Sequence, residues 1–85
     1  MQLTIVAPGG VLCRAVVEKV SLPGALGTFT VLPGHAPLIA QLTAGKIRYT
    51  SGAKDGELEI RRGFVRIERD TVAASVELSE PRPQK

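Results

Sequence analysis

Eighty-five residues, 44% apolar and 22% charged, make one small domain, with too much core-forming sequence for a disordered chain. The net charge of +3 raises a nucleic-acid or anionic-surface role, but Arg61, Arg62, Arg66 and Arg69 alternate with Glu57, Glu59 and Glu68. That mixture describes a solvated face rather than a basic stripe. A lone cysteine, Cys13, excludes an internal disulfide, so packing alone must hold the fold, as suits a reducing compartment. At this size only about 60–65% of the unfolded surface is buried. One sheet would leave a face wet; two short sheets face to face, or a closed barrel, are the economical solutions.

Taken in chain order, the apolar opening has no basic start and is cut short by Pro8-Gly9-Gly10. It therefore predicts neither a secretory signal nor a membrane span, which needs about 18 consecutive apolar residues, and the expectation is a soluble, cytoplasmic protein. Val11-Leu12-Cys13 reads as an apolar strand in which Cys13 is a small hydrophobe. Pro23-Gly24 is the next break, and Gly24-Ala25-Leu26-Gly27 reads as a turn between strands. Pro33-Gly34-His35-Ala36-Pro37 is stiff, because two prolines fix φ and Ala36 is pushed toward an extended conformation by Pro37. His35 then either caps a neighbouring carbonyl within a turn or marks a rigid docking edge. Ala36 to Leu42 suits a helix started by Pro37 and a strand of Leu38, Ala40 and Leu42 equally well.

Beyond the Ala44-Gly45 break, period-two alternation takes over. Ile47 and Tyr49 alternate with Lys46, Arg48 and Thr50; Leu58 and Ile60 alternate with Glu57, Glu59 and Arg61; Val65 and Ile67 alternate with Arg66 and Glu68. Asp55-Gly56 is expected to close a hairpin between 47–51 and 57–61. After Arg69-Asp70, Val72, Ala74, Val76 and Leu78 share one face. Each run is a half-buried strand, since successive side chains project to opposite faces. The pattern predicts about nine short strands without a helix, an all-β sandwich or flattened barrel. The domain is expected to span 1–79, followed by a disordered tail from 80 to 85 that carries Pro81 and Pro83.

Catalytic chemistry finds little to work with. One Cys and one His cannot supply the three or four ligands of a zinc site, and Asp55-Gly56-Glu57 is too sparse in acids for calcium. Glu57 and Glu59 sit two apart on a wet strand face with no pocket. The GxxG spacing of Gly24 to Gly27 lacks the Lys-Ser/Thr ending of a phosphate loop and the helices of an RNA-clamping domain. A β-barrel that binds single strands stacks bases on surface aromatics, and this chain has three rings in all, Phe29, Tyr49 and Phe64. A nucleic-acid or other anion-binding β-sandwich module is the alternative reading; a Cys13–His35 enzyme is the weaker one.

Leu32-Pro33-Gly34-His35-Ala36-Pro37-Leu38 resembles the signature of the ATP synthase epsilon subunit family, called delta in mitochondria. The opening Leu3 to Pro8, the run Val20 to Gly24, and Gly63-Phe64-Val65-Arg66-Ile67-Glu68 followed by Val72-Ala73-Ala74 agree in order and spacing. The resemblance implies a flattened sandwich of ten strands in two five-stranded sheets. It also implies a non-catalytic subunit of the central stalk, with no cofactor, at the cytoplasmic face of a bacterial inner membrane. Its partners would be the gamma subunit and the c-subunit ring, and indirectly the catalytic alpha/beta head. In this reading the subunit couples proton or sodium flow to ATP synthesis. Family positions that face gamma fall on Ala7, His35 and Ala40, and the loop that meets the c-ring falls on Leu26-Gly27-Thr28. Many relatives carry an acid where Thr28 stands, so a hydroxyl contact is expected in its place. Many also continue into a C-terminal helical hairpin that restrains hydrolysis and in some binds ATP; the sequence stops at Lys85, and neither property is carried over.

Overall fold

A computed structural model describes residues 1–78. Eight strands make up the described chain: β1 (Gln2–Ala7), β2 (Gly10–Val16), β3 (Lys19–Gly24), β4 (Gly27–Val31), β5 (Leu38–Leu42), β6 (Gly45–Ser51), β7 (Lys54–Glu68) and β8 (Thr71–Leu78). The all-β expectation holds, and the segment that suited helix or strand equally is the strand β5. The ten strands in two sheets of five, and the nine or so read from the pattern, are corrected to eight. The tail expected at 80–85 and the domain boundary at 79 lie outside the described residues.

The correction has its origin in β7, a single strand of 15 residues where the pattern suggested two. Its inward residues are even-numbered up to Ile60 and odd-numbered from Gly63 onward, with Arg61 and Arg62 both exposed between them. The register against β8 shifts between Ile60 and Arg62. One extra residue at a bulge reverses which parity points inward. The strand thus changes layers without ending: its first half pairs with β6, its second half with β8 and β5. One layer runs β2-β1-β8-β7-β5 and the other β7-β6-β3-β4. They meet again where Gly24 pairs with Leu42, supported by Ala25 N–H to Gln41 O at 2.9 Å and Thr43 N–H to Pro23 O at 2.8 Å. The strands β7, β6, β3 and β5 therefore form a closed, flattened circuit.

Between the layers lies an aliphatic core. Leu3, Ile5, Val20, Leu22, Ile47 and Ile60 have no exposed surface, and no buried polar side chain interrupts it among the described residues. First and last strands lie side by side and parallel, Leu3 opposite Val72 and Ile5 opposite Ala74, so the core closes only when the whole described chain is in place.

Turn positions follow the sequence in most places. Pro8-Gly9, Pro33-Gly34, the bend at Ala44 and Arg69-Asp70 all join strands, and Arg69 takes a positive φ of 49°. Two differ. The hairpin between β6 and β7 exists, but it turns at Gly52-Ala53, with Gly52 at φ 64°, while Asp55 and Gly56 sit inside β7 opposite Thr50 and Tyr49. Tyr49 explains the position of Gly56: its ring covers the place where a Cβ would stand. Pro23-Gly24 likewise belongs to β3, and the turn follows at Ala25-Leu26.

Candidate docking surfaces

The two layers turn very different faces to solvent. On the outer face of β3, β6 and β7, polar groups pair with one another. Arg48 Nε donates to Glu57 Oε2 at 2.8 Å, Lys46 Nζ lies 3.8 Å from the same carboxylate, Thr50 Oγ1 donates to Asp55 Oδ1 at 3.0 Å, and the hydroxyls of Ser21 and Thr30 share a bond of 2.9 Å. A depression of about 540 Å³ on this face is lined by Ser21, Arg48, Tyr49, Thr50, Asp55 and Glu57, so Glu57, expected to have no pocket beside it, lines one, its carboxylate held by Arg48.

The outer face of β1, β8, β7 and β5 carries large apolar side chains without cover among its polar ones. Strand register places Gln41, Phe64, Ser75 and Val6 in one row across the sheet, and Ile39, Arg66, Ala73 and Thr4 in the next. Phe64 is 58% exposed and Ile39 66% exposed. A groove of about 420 Å³ runs across the end of this sheet, lined by Val6, Ala7, Pro8, Phe64 and Val76 with Arg62 and Glu77 at its rim. Arg62 Nε and Glu77 Oε1 hold each other at 3.1 Å, whereas Arg66 and Arg14 have no ion-pair partner among the described residues.

A second groove, of about 510 Å³, opens where β5 diverges from the β3–β4 hairpin. Ala25, Leu26, Gly27 and Phe29 form one wall, and Leu38, Ile39 and Ala40 the other. Leu26 at the hairpin tip is wholly exposed, because the two-residue turn leaves it nothing to pack against. Thr28 is exposed on the outer side of β4, opposite Pro23.

His35 sits in the turn between β4 and β5. Gly34 adopts φ 87°, His35 N–H donates to Leu32 O at 3.1 Å, and its Nδ1 lies 2.7 Å from Ala36 O. With Nδ1 protonated this is a cap on a neighbouring carbonyl, one of the two arrangements the stiff loop allowed. It also holds the ring in place, so the cap and a fixed docking edge are compatible.

The three residues expected to face gamma do not form one patch. Ala40 points toward the core and the second groove, Ala7 lines the first, and His35 lies near the opposite end of the sheet, beyond Leu38. Ala40 instead shares a groove with Leu26 and Gly27 of the expected ring-facing loop. The structure does not bring Cys13 and His35 together: Cys13 lies on β2 and His35 in the turn leading into β5, at opposite edges of the layer β2-β1-β8-β7-β5. Cys13 is half-buried and packs against the core beside Tyr49. A hydrogen bond with Cys13, then burial and the coulombic effect of Cys13, raise the Tyr49 phenol above its usual 10.0. No group of three His, Cys, Asp or Glu side chains that could hold a metal ion occurs among the described residues, and no helix there is long and apolar enough to cross a membrane.

Ile39, Phe64 and Arg66 were not singled out for contact by sequence reasoning, yet the signal was present. Ile39 and Phe64 are large apolar residues in the outward phase of strands whose inward phase is carried by Leu42 and by Val65 and Ile67. An apolar side chain out of phase with its own core face needs a cover from elsewhere.

Comparison with known proteins fits this geometry. Residues 1–81 match the family described as ATP synthase, Delta/Epsilon chain, beta-sandwich domain. The ATP synthase epsilon chain 2 of Syntrophotalea carbinolica is 35% identical over 80 residues, covering 94% of this chain and 58% of that protein. The epsilon chain of Desulfitobacterium hafniense is 37% identical over 79 residues, covering 93% and 60%. The chain thus spans about three-fifths of the length of these relatives. Among solved structures, a chain of the Euglena gracilis mitochondrial ATP synthase superposes with a TM-score of 0.81 at 23% identity, over 87% of this chain and 48% of that one. A chain of the central stalk and c-ring structure of the Tetrahymena thermophila mitochondrial ATP synthase gives 0.78 at 12% identity, over 91% and 63%. These two superpositions speak to the fold; the sequence matches speak to descent. By both the family match and its epsilon-chain relatives, this chain belongs to the ATP synthase delta/epsilon chain family and comprises its β-sandwich domain.

Proposed function

We propose that this chain acts as a non-catalytic rotor adaptor in the central stalk of an F-type ATP synthase, held between the gamma subunit and the c-ring. Family membership supports the assembly, and the observation that carries the adaptor reading is the contrast between the two faces. One face pairs its polar groups with one another; the other presents Phe64 and Ile39, which nothing in the described chain covers.

In this reading gamma lies along the outward face of β5 and β7, reaching Ala7 near one end and His35 near the other, and the ring meets Leu26-Gly27-Thr28 at the hairpin tip, with Ala40 in the groove between the two contacts. At that tip Leu26 supplies an apolar knob and Thr28 a hydroxyl. An adaptor under torque needs stiffness, and the closed circuit of strands supplies it. Load entering at the β3–β4 hairpin passes into β5 through the Ala25–Gln41 and Thr43–Pro23 backbone bonds, and from β5 into β7 through five paired residues. The role asks for no reactive group, and the coupling of ion flow to synthesis belongs to the whole assembly. Docking would also stabilise a small domain by mass action.

An affinity pull-down with the tagged chain from its native membranes tests the reading. Recovery of gamma and the c-ring together is expected. Recovery of neither, or of nucleic acid bound in a steeply salt-dependent manner, would overturn it.

A further inference from the structure

We propose that Arg66 is a specificity-determining residue of the apolar face, and that the surface it engages is a polypeptide segment whose apolar stripe is edged by a carboxylate. The inference rests on the adaptor reading above, and under it the segment belongs to gamma. It goes further by naming the chemistry that the partner must present at one place.

Position is the first argument. Arg66 stands on the outward side of β7 between Ile39 of β5 and Ala73 of β8. It borders two shallow depressions of the face, one shared with Phe64 and Ala73, the other with Pro37 and Glu68. Anything that covers Phe64 and Ile39 must therefore come against its guanidinium. Charge is the second. The neighbouring cation on this strand face, Arg62, is held by Glu77 at 3.1 Å, and on the other layer Arg48 is held by Glu57 at 2.8 Å. Arg66 has no such partner among the described residues: Glu68, two residues along the same strand face, makes no ion pair with it. A guanidinium cannot shed its proton. Covering it with an apolar surface would strand a charge, which disfavours any partner lacking a counter-charge there. The apolar residues supply affinity, and the unpaired arginine selects which segment is accepted.

The test is binding of the chain to purified gamma, measured for the parent, Arg66→Gln and Arg66→Glu across a salt series from about 50 to about 500 mM. Arg66 lies on the exposed side of the sheet, and thermal melts of the variants serve as the check that they fold like the parent. The expected result is a loss of affinity of about threefold for Arg66→Gln and about tenfold or more for Arg66→Glu at low salt, with a shallower salt dependence in both variants than in the parent. A scan of gamma carboxylates changed to Lys should include one that restores binding to Arg66→Glu. If gamma binds the parent and both variants equally at every salt concentration, the inference is overturned and the adaptor reading stands. If gamma does not bind the parent at all, both fall.

Discussion

Replacement of Gly63 by alanine probes the hinge of the fold. Gly63 is the residue at which β7 resumes its inward phase after the bulge, and it is paired with Val76 on one side and Leu42 on the other. A Cβ there would collide with the carbonyl oxygen of Ser75 and stand 3.0 Å from Val76 Cα. Both are backbone atoms of β8, which is itself fixed between β7 and β1, so no rotamer change relieves the clash. Restoring ordinary contact requires β8 to recede by about 1 Å, an overpacking strain of about 2–3 kcal/mol. In a domain of this size 1 kcal/mol moves the melting temperature by about 4–8 °C, so a drop of roughly 10–20 °C is expected. Circular dichroism melts of Gly63→Ala measure it, with Gly9→Ala as the control, since nothing lies within 4 Å of a Cβ at Gly9. A melting temperature for Gly63→Ala within about 2 °C of the parent would refute the reasoning, because it would mean the two layers are not locked at this crossing.

Tyr49 is the only tyrosine, so absorbance of the phenolate reads it directly; its midpoint is expected above 10.0, moving down toward that value in Cys13→Ala. Because the folded state holds the phenol protonated, its stabilising effect is complete below pH 10 and is lost as pH rises through the higher folded value, so the parent should lose more stability than Tyr49→Phe in alkaline melts. His35→Asp should weaken association with gamma about tenfold or more, since it places a charge at a contact surface; co-purification at the parental level would reject this. Thr28→Arg, on an exposed strand position, should leave the melting temperature within about 2 °C and reduce ATP-driven ion pumping by the assembled enzyme, with unchanged pumping as the refuting result.

The sequence made the strand pattern and the core legible because alternation is a local signal. Val72, Ala74 and Val76 are buried as their spacing required, and so are Ile47 and Ile60. The strand count was less legible. A bulge and a strand break both interrupt alternation, and only the partner strands distinguish them; at Arg61 the pairing with β8 keeps the strand whole. The hairpin turn was misplaced for a related reason. Asp55-Gly56 is good turn chemistry, but Gly56 is needed under the Tyr49 ring, and Gly52 serves the turn instead. At the docking surfaces, the His35 loop and the Leu26 tip stood out by composition. Phe64 and Ile39 did not, because their outward phase becomes visible only once the inward phase of β5 and β7 is fixed.

The adaptor account claims two separate contacts on one rigid body, and site-directed cross-linking in the assembled enzyme addresses that most directly. With Cys13→Ala as background, a single cysteine replaces either Phe64 or Leu26, and the cross-linked partner is identified. The account predicts gamma from the Phe64 position and the c subunit from the Leu26 position. Both positions linking to one subunit, or neither linking to any stalk component, would contradict it.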